Sequence, residues 1–234
     1  NAALISRFCK RYNQNKPSGK AEARMLKKEY HTQRLILKVS RLVTPQQVLV
    51  YYQKNEDLFV PLDPQRPAGF LSIPYQRMVL EADEEDRLSI RGLKLWVFLK
   101  EHPDQIIGMV SFSNLMGGSV RSAFLAYKLD KDYLNHGYIT EAIAMGIRIM
   151  FEVYKLNRIE LAILPRNKPS LRVAEKLGFT REGYSERYLE INGIWEGHVR
   201  FGLINDPDAP WRQLPAYAES QPQRVKLMQM LKKS

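Results

Sequence analysis

The chain has 234 residues, of which 44% are apolar and 10% aromatic, enough for one substantial core but too few for two full domains. The single cysteine, Cys9, excludes an internal disulfide and fits a reducing compartment. No apolar run approaches the ~20 residues of a membrane-spanning helix, and the first residues lack an apolar signal core. We therefore expect a cytoplasmic location.

The net charge of +11 is concentrated at the two ends of the chain. Residues 1–30 carry +6 and residues 212–234 carry +4, so the 181 residues between them carry only +1. Basic ends attract polyanions, of which RNA, the ribosome surface and anionic lipid are the usual ones. The alternative is that these ends only keep the protein in solution.

The first part of the chain predicts an extension, a strand and two helices. Residues 1–29 are polar and basic and form the N-terminal extension. An alternating strand follows at 33–38, and Thr44-Pro45 is typical of a helix start. A proline-rich loop at 59–67 separates this helix from a charged amphipathic helix at 74–90.

The remaining pattern predicts three hairpin-connected strands, a helix, a strand, a helix and a final hairpin. Their ranges are 93–100, 105–113, 120–129, 138–155, 158–163, 167–177, 179–190 and 194–204. Asn192-Gly193 is the preferred dipeptide for the last hairpin turn. Helices packed on a mixed sheet give an α+β domain, which we place at 30–206, with a proline-rich and then basic tail at 207–234.

The segment 133–142 joins a strand to a helix through a tight loop. Such a loop presents unpaired backbone N–H groups in front of the positive end of the helix dipole, an arrangement that binds pyrophosphate. A glycine, here Gly137, is needed where the backbone must approach phosphate oxygens closely. One glycine at a helix start is also compatible with an ordinary turn.

A second segment, 165–179, places a polar helix start directly after the next strand. Asn167 can cap this helix, and Ser170 lies in its first turn. The same spacing describes many ordinary helix starts, so its significance depends on its position after the first segment.

Together these segments resemble the GNAT superfamily, and within it the RimJ/RimL type of ribosomal-protein N-terminal acetyltransferases. The similarity covers about residues 31–206. The motifs that carry it are Gln33-Arg34-Leu35-Ile36-Leu37, Phe59 to Arg66, Ile106-Ile107-Gly108 with Phe112-Ser113-Asn114, and Glu182-Gly183-Tyr184 with Tyr188-Leu189, Gly193, Trp195 and His198-Val199. The resemblance implies a GNAT fold, with a mixed, mostly antiparallel sheet and helices on both faces.

The resemblance also implies acetyl-CoA as co-substrate, with no metal, and a set of residues that would contact it. The strand around 125–129 would splay from its neighbour and bind the pantetheine arm and thioester through its backbone. Loop 134–139 would hold the pyrophosphate. The implied coenzyme-binding residues are Leu125, Tyr127, Leu129, Asn135, His136, Gly137, Tyr138, Ile139, Asn167 and Leu171.

In the resembled family the acceptor amine attacks the thioester directly, without an acyl-enzyme. Ser170 matches the position of the hydroxyl that protonates the leaving thiolate, and Glu190 is the candidate base, with a water chain or another carboxylate as alternatives. The superfamily loop reads Q/R-x-x-G-x-G/A, whereas this chain has Leu134 at the first position and Ile139 at the last. Because pyrophosphate binding relies mainly on backbone N–H groups, we expect these departures to weaken binding and not to abolish it.

The resemblance therefore predicts acetylation of a protein N-terminal α-amine, with a ribosomal protein as acceptor. Two alternatives remain open at this point. One is acetylation of a small amine, such as a polyamine, an aminoglycoside or an amino acid. The other is a catalytically degenerate GNAT fold that binds the ribosome or RNA, an alternative that the departures at Leu134 and Ile139 keep open. No clustering of His, Cys and Asp in the sequence predicts a metal site.

Overall fold

The computed structural model describes residues 27–213, a single eight-stranded sheet with helices on both faces. Most of the basic N-terminal extension and of the C-terminal tail lies outside the described residues. The strands are β1 (Glu29–His31), β2 (Leu35–Val39), β3 (Leu93–Leu99), β4 (Ile106–Met116), β5 (Ser122–Leu129), β6 (Arg158–Ile163), β7 (Thr180–Ile191) and β8 (Ile194–Ile204). The helices are α1 (Pro45–Lys54), α2 (Glu56–Phe59), α3 (Ile73–Leu88), α4 (Tyr138–Arg148) and α5 (Lys168–Lys176).

The strand order is β1-β2-β3-β4-β5-β6-β8-β7, and every neighbouring pair except β5–β6 is antiparallel. Strand alternation divides the apolar side chains between two cores, one on each face of the sheet. The larger core contains helix α4 and the inward residues of most strands. The smaller core contains α1 and part of α3, packed against Trp96 and Phe98 of β3. These features confirm the predicted GNAT architecture.

The parallel contact between β5 and β6 is short. Only three residue pairs join the strands, from Ser122↔Arg158 to Phe124↔Glu160. Beyond them β5 remains paired with β4 as far as Leu129, and β6 with β8 as far as Ile163. The two strands therefore open into a V near the middle of the sheet, as the resemblance implied.

The structure departs from the sequence-based boundaries at both ends of the domain. Strand β1 was not predicted, because its three residues are too few to show an alternating pattern. At the other end Trp211, which the sequence analysis placed in the tail, is fully buried and packs against Phe151. The core therefore continues to residue 211.

Two further segments differ locally from the predictions. The predicted loop at 59–67 begins with the end of α2 and a 3-10 turn at Val60–Leu62. The predicted helix at 138–155 is α-helical only to Arg148 and continues as a π-helical turn at Ile149–Val153. Among residues 27–213 the structure contains no helix with the length and apolarity needed to cross a bilayer.

Gly108 offers a test of how closely β4 and β5 approach beside the V. A Cβ at this buried position would lie 2.8 Å from the backbone oxygen of Lys128 and 3.2 Å from Leu129 Cδ1. We expect Gly108→Ala to lower the free energy of unfolding by about 1–3 kcal/mol, because a backbone carbonyl cannot move aside as a side chain can. Urea unfolding measures this change. Gly117→Ala is the matched control, since a Cβ there meets nothing within 4 Å; equal stability of the two variants would contradict the prediction.

Candidate active site

The V between β5 and β6 provides a stretch of backbone without a neighbouring strand on one side. Along β5, the side chains of Leu125 and Leu129 are buried in the larger core. They are therefore not available to line the V, and only the backbone at these positions can do so. This is the arrangement that the sequence analysis expected for the pantetheine-binding strand.

The loop that follows β5 has an unusual backbone. Asn135 adopts φ 64° and Gly137 φ 78°, both in the left-handed region that favours glycine. Gly137 is the N-cap of α4, and no side chain caps the helix there. The first-turn N–H groups of α4 therefore lack the usual side-chain acceptor and remain directed out of the helix, as an anion site requires.

The side chains of this loop are less suited to ligand contact than its backbone. The exposed His136 ring stacks on Tyr138, with centroids 5.7 Å apart, and its Nδ1 lies 2.7 Å from the Leu134 carbonyl oxygen. The side chain of Ile139 is only 8% exposed and belongs to the larger core. A bulky residue at this position therefore leaves the face formed by the backbone N–H groups open.

Helix α5 faces β5 through a pair of hydroxyl groups. Ser170 Oγ donates a hydrogen bond to the Tyr127 hydroxyl oxygen at 2.7 Å, and that hydroxyl donates in turn to the Ser170 carbonyl oxygen at 3.1 Å. Burial raises the pKa of Tyr127 to about 12, although the hydrogen bond to Ser170 acts in the opposite direction. The tyrosine therefore remains protonated at neutral pH.

The other two residues predicted on α5 have mainly structural contacts. The Asn167 side-chain oxygen accepts a hydrogen bond from the Ser170 N–H at 3.2 Å and so caps the helix. Leu171 is half-buried and packs against the larger core. Asn167 thus fixes the first turn that carries Ser170.

The segment 60–63, which precedes α3, contacts both arms of the V, meaning the parts of β5 and β6 that are not paired with each other. At the end of β5, Lys128 forms an ion pair with Asp63. Just beyond β6, Arg166 Nη2 donates to the Pro61 carbonyl oxygen at 3.0 Å. The segment 60–63 therefore bridges the open ends of the two strands.

Two carboxylates on strands β6 and β8 are paired with arginines. Glu160 accepts from Arg200 at 2.9 Å, and Glu196 accepts from Arg166 at 2.7 Å. The hydrogen bond from Arg166 lowers the pKa of Glu196 below its usual value. Within residues 27–213 no group of three or more His, Cys, Asp or Glu residues could hold a metal ion.

Glu190, the predicted base, lies in the final hairpin. It is exposed and pairs across the hairpin with Trp195. The register of β7 and β8 shifts twice, between Arg181 and Gly183 and between Ser185 and Leu189. Simple alternation along β7 therefore does not determine which way Glu190 faces, and its role as base remains a prediction.

Sequence reasoning missed two sets of contacts around the V. It named Tyr127 for its backbone only, although alternation with Leu125 and Leu129 could have placed its side chain on the α5 side of the sheet. It also gave no role to Arg34 and Glu141, which form a close ion pair beside loop 134–139. These two residues lie 107 positions apart, and no local pattern predicts such a pair.

Comparisons with known proteins identify the family to which the chain belongs. Residues 60–180 match the family model described as an acetyltransferase (GNAT) domain. The chain is 33% identical over 162 residues to the probable N-acetyltransferase YjcK of Bacillus subtilis, covering 66% of this chain and 85% of the relative. It is 28% identical over 187 residues to the ribosomal protein uS5-alanine N-acetyltransferase of Escherichia coli, covering 77% and 93%.

A solved structure shows that the fold is also similar to that of a ribosomal-protein acetyltransferase. The ribosomal-protein-S5-alanine acetyltransferase of Vibrio fischeri superimposes with a TM-score of 0.70 at 28% identity, covering 76% of this chain and 97% of that one. These relatives are consistent with the RimJ-type resemblance. With the family match over more than half of its length, the chain belongs to the GNAT family of N-acetyltransferases.

Proposed function

We propose that the protein transfers the acetyl group of acetyl-CoA to the N-terminal α-amine of a protein, with a ribosomal protein as acceptor. The observation that carries this proposal is the V between β5 and β6, with an uncapped helix N-terminus after β5 and the Ser170–Tyr127 hydroxyl pair joining β5 to α5. The similarity to enzymes named for acetylating the alanine of a ribosomal protein supports the acceptor class.

The residues present fit the coenzyme that GNAT enzymes use. When bound, acetyl-CoA supplies the acetyl group and a thiolate leaving group. The free backbone edge of β5 beyond Phe124 would hold the pantetheine arm, and the first-turn N–H groups of α4 would hold the pyrophosphate. Both parts bind through the backbone, which is consistent with the absence of a cationic side chain at Leu134.

Ser170 and Glu190 divide the proton transfers in this proposal. Glu190 accepts the proton of the acceptor amine through water, since Glu196 in the same hairpin is held by Arg166 and its lowered pKa makes it a weaker base. Ser170 donates its hydroxyl proton to the departing sulfur. Once Ser170 Oγ has lost its proton, the protonated Tyr127 hydroxyl can turn from the Ser170 carbonyl oxygen and donate to Oγ, 2.7 Å away, until solvent reprotonates the serine.

Charge pairing on the acceptor side favours a peptide over a small polycation. A polyamine or an aminoglycoside requires carboxylates that are free to neutralise several ammonium groups. Here Asp63, within segment 60–63, and Glu196, which binds the same arginine as Pro61, each have a lysine or arginine partner already. A peptide N-terminus brings a single amine and an extended backbone, and so requires less negative charge.

The first experiment tests the coenzyme and the acceptor together. We expect millimolar acetyl-CoA to raise the unfolding temperature, since a ligand that binds only the native state stabilises it by about RT ln(1 + [L]/Kd). We then expect acetylation of peptides that begin with Ala, Ser or Met, measured by mass spectrometry beside polyamines, aminoglycosides and amino acids. Peptides with an acetylated N-terminus are the matched control.

Two results of that experiment would overturn the proposal. No thermal shift at millimolar acetyl-CoA would favour a degenerate fold that binds the ribosome or RNA. A clear preference for the small amines would keep the enzyme class but replace the acceptor.

A second experiment tests the proton-transfer groups. We expect Ser170→Ala to lower kcat by about 10²–10⁴-fold, the usual contribution of general acid catalysis, with little change in acetyl-CoA affinity. Glu190→Gln should lower kcat/KM, because an amide cannot accept the amine proton. Ser119→Ala, at an exposed loop position, is the control. Wild-type kcat in Ser170→Ala, or wild-type kcat/KM in Glu190→Gln, would leave that residue without a catalytic role.

A third experiment tests the basic ends, which lie outside the described residues. We propose that they bring the enzyme to ribosomes in the cytoplasm. Replacing the Lys and Arg residues of 1–26 and 214–234 with Gln in the full chain should flatten the salt dependence of ribosome co-sedimentation, because each phosphate contact contributes about −0.9 to the slope of log K against log[salt] on duplex nucleic acid. Peptide acetylation in solution should remain near wild type. If the wild-type and the substituted chain show the same slope of log K against log[salt], the basic ends do not bind the ribosome.

A further inference from the structure

We propose that Arg34 and Glu141 form a clamp that sets the backbone conformation of loop 134–139, so that Arg34 is a positioning residue for the coenzyme. This inference rests on the proposed acetyl-CoA site. Arg34 lies in the turn between β1 and β2, and Glu141 lies in the first turn of α4, directly after the loop.

Glu141 is a buried carboxylate that accepts hydrogen bonds from the β1–β2 turn. Its side chain is 6% exposed. Oε1 accepts from Thr32 Oγ1 at 2.6 Å and from the Arg34 backbone N–H at 2.9 Å, and Oε2 accepts from Arg34 Nε at 2.7 Å. This carboxylate therefore fastens the start of α4 to the edge of the sheet.

The same guanidinium contacts two residues of the loop, His136 and Tyr138, and lies beside the glycine between them. Arg34 Nη1 donates to the His136 carbonyl oxygen at 3.0 Å, and Arg34 Cζ lies 4.4 Å from the centre of the Tyr138 ring. Between them, a Cβ added to Gly137 would lie 3.6 Å from Arg34 Nη2. One planar, five-donor group thus binds the carboxylate of Glu141 and the loop backbone at once, which an ammonium group on a flexible stem cannot reproduce.

This contact matters because the loop contains two residues in the left-handed region. Gly137 adopts this region without steric cost, and asparagine, here Asn135 at φ 64°, adopts it more readily than most residues with a Cβ. An anion site built from N–H groups binds tightly only if those groups are already oriented. By holding the His136 carbonyl, Arg34 orients the peptide units between the two left-handed residues.

Charge gives Arg34 a second effect on the same site. Glu141 places a negative charge within one turn of the N–H groups proposed to bind pyrophosphate. Arg34 neutralises that charge at 2.7 Å. Without Arg34, a buried carboxylate would repel the coenzyme phosphates at short range and through a medium that screens poorly.

The test is calorimetric titration of CoA into the full chain and into Arg34→Gln. We expect the variant to bind CoA at least about 10-fold more weakly. Its KM for acetyl-CoA should rise in parallel, while kcat at saturating acetyl-CoA should stay within about 2-fold of wild type. With S-acetylpantetheine, which lacks the pyrophosphate, kcat/KM should be equal in the two proteins. A purely structural defect would instead reduce the use of both donors.

Three more variants separate the two effects of Arg34 and protect the test against misfolding. Arg34→Lys keeps the positive charge but cannot bind the Glu141 carboxylate and the His136 carbonyl at the same time. Its affinity for CoA should therefore lie between that of the wild type and that of Arg34→Gln. Adding Glu141→Gln to Arg34→Gln removes the repulsion and should recover part of the affinity, a non-additivity that reports direct coupling. Arg91→Gln breaks an exposed ion pair with Asp86 at 2.9 Å and should behave as wild type.

Amide hydrogen exchange gives a readout that is independent of activity. In Arg34→Lys, the N–H groups of 136–140 should exchange faster than in wild type, and the rest of α4 should not. Wild-type CoA affinity in Arg34→Gln, or equal losses with acetyl-CoA and S-acetylpantetheine, would overturn the clamp while leaving the coenzyme site intact. Absence of CoA binding by the wild-type protein would overturn the coenzyme site, and the clamp with it.

Discussion

The separation of β5 from β6 after three residue pairs is the constraint on which the site depends. A sheet gains stability when its backbone N–H and C=O groups are paired, so an interrupted ladder leaves groups that require water or a ligand. Here each arm keeps its outer neighbour, β4 for β5 and β8 for β6, so the V opens without loss of the sheet. The unpaired edge is therefore a stable part of the fold and is available for a ligand.

Contacts across the sequence hold the groups around this opening. The Tyr127–Ser170 bonds join β5 to α5, the segment 60–63 joins the open ends of both arms, and Arg34 joins the sheet edge to α4. Each contact links an element on one side of the V to an element that is distant in sequence. The positions of the hydroxyl pair and of the helix N-terminus thus depend on tertiary contacts more than on local propensity.

The sequence predicts the parts of this arrangement that depend on local patterns. Alternation and turn dipeptides place most strands correctly, and Gly137 together with Asn167 marks the starts of α4 and α5. Features with short or irregular patterns are not predicted. Strand β1 has only three residues, and the register shifts in β7 prevent alternation from predicting which way the Glu190 side chain points. Long-range pairs such as Arg34–Glu141 cannot be predicted from one sequence, because neither residue is distinguishable from an ordinary surface charge until the chain is folded.

The departures of loop 134–139 from the superfamily pattern have a physical explanation in the backbone. Ile139 occupies the second position of α4, where its side chain packs into the larger core while its N–H belongs to the uncapped first turn. Leu134 adopts φ −65°, which any residue accepts, so its side chain is not needed for the turn. Gly137, at φ 78°, is the position that a residue with a Cβ would strain. A binding site made of backbone N–H groups would therefore tolerate side-chain changes that preserve the dihedral angles.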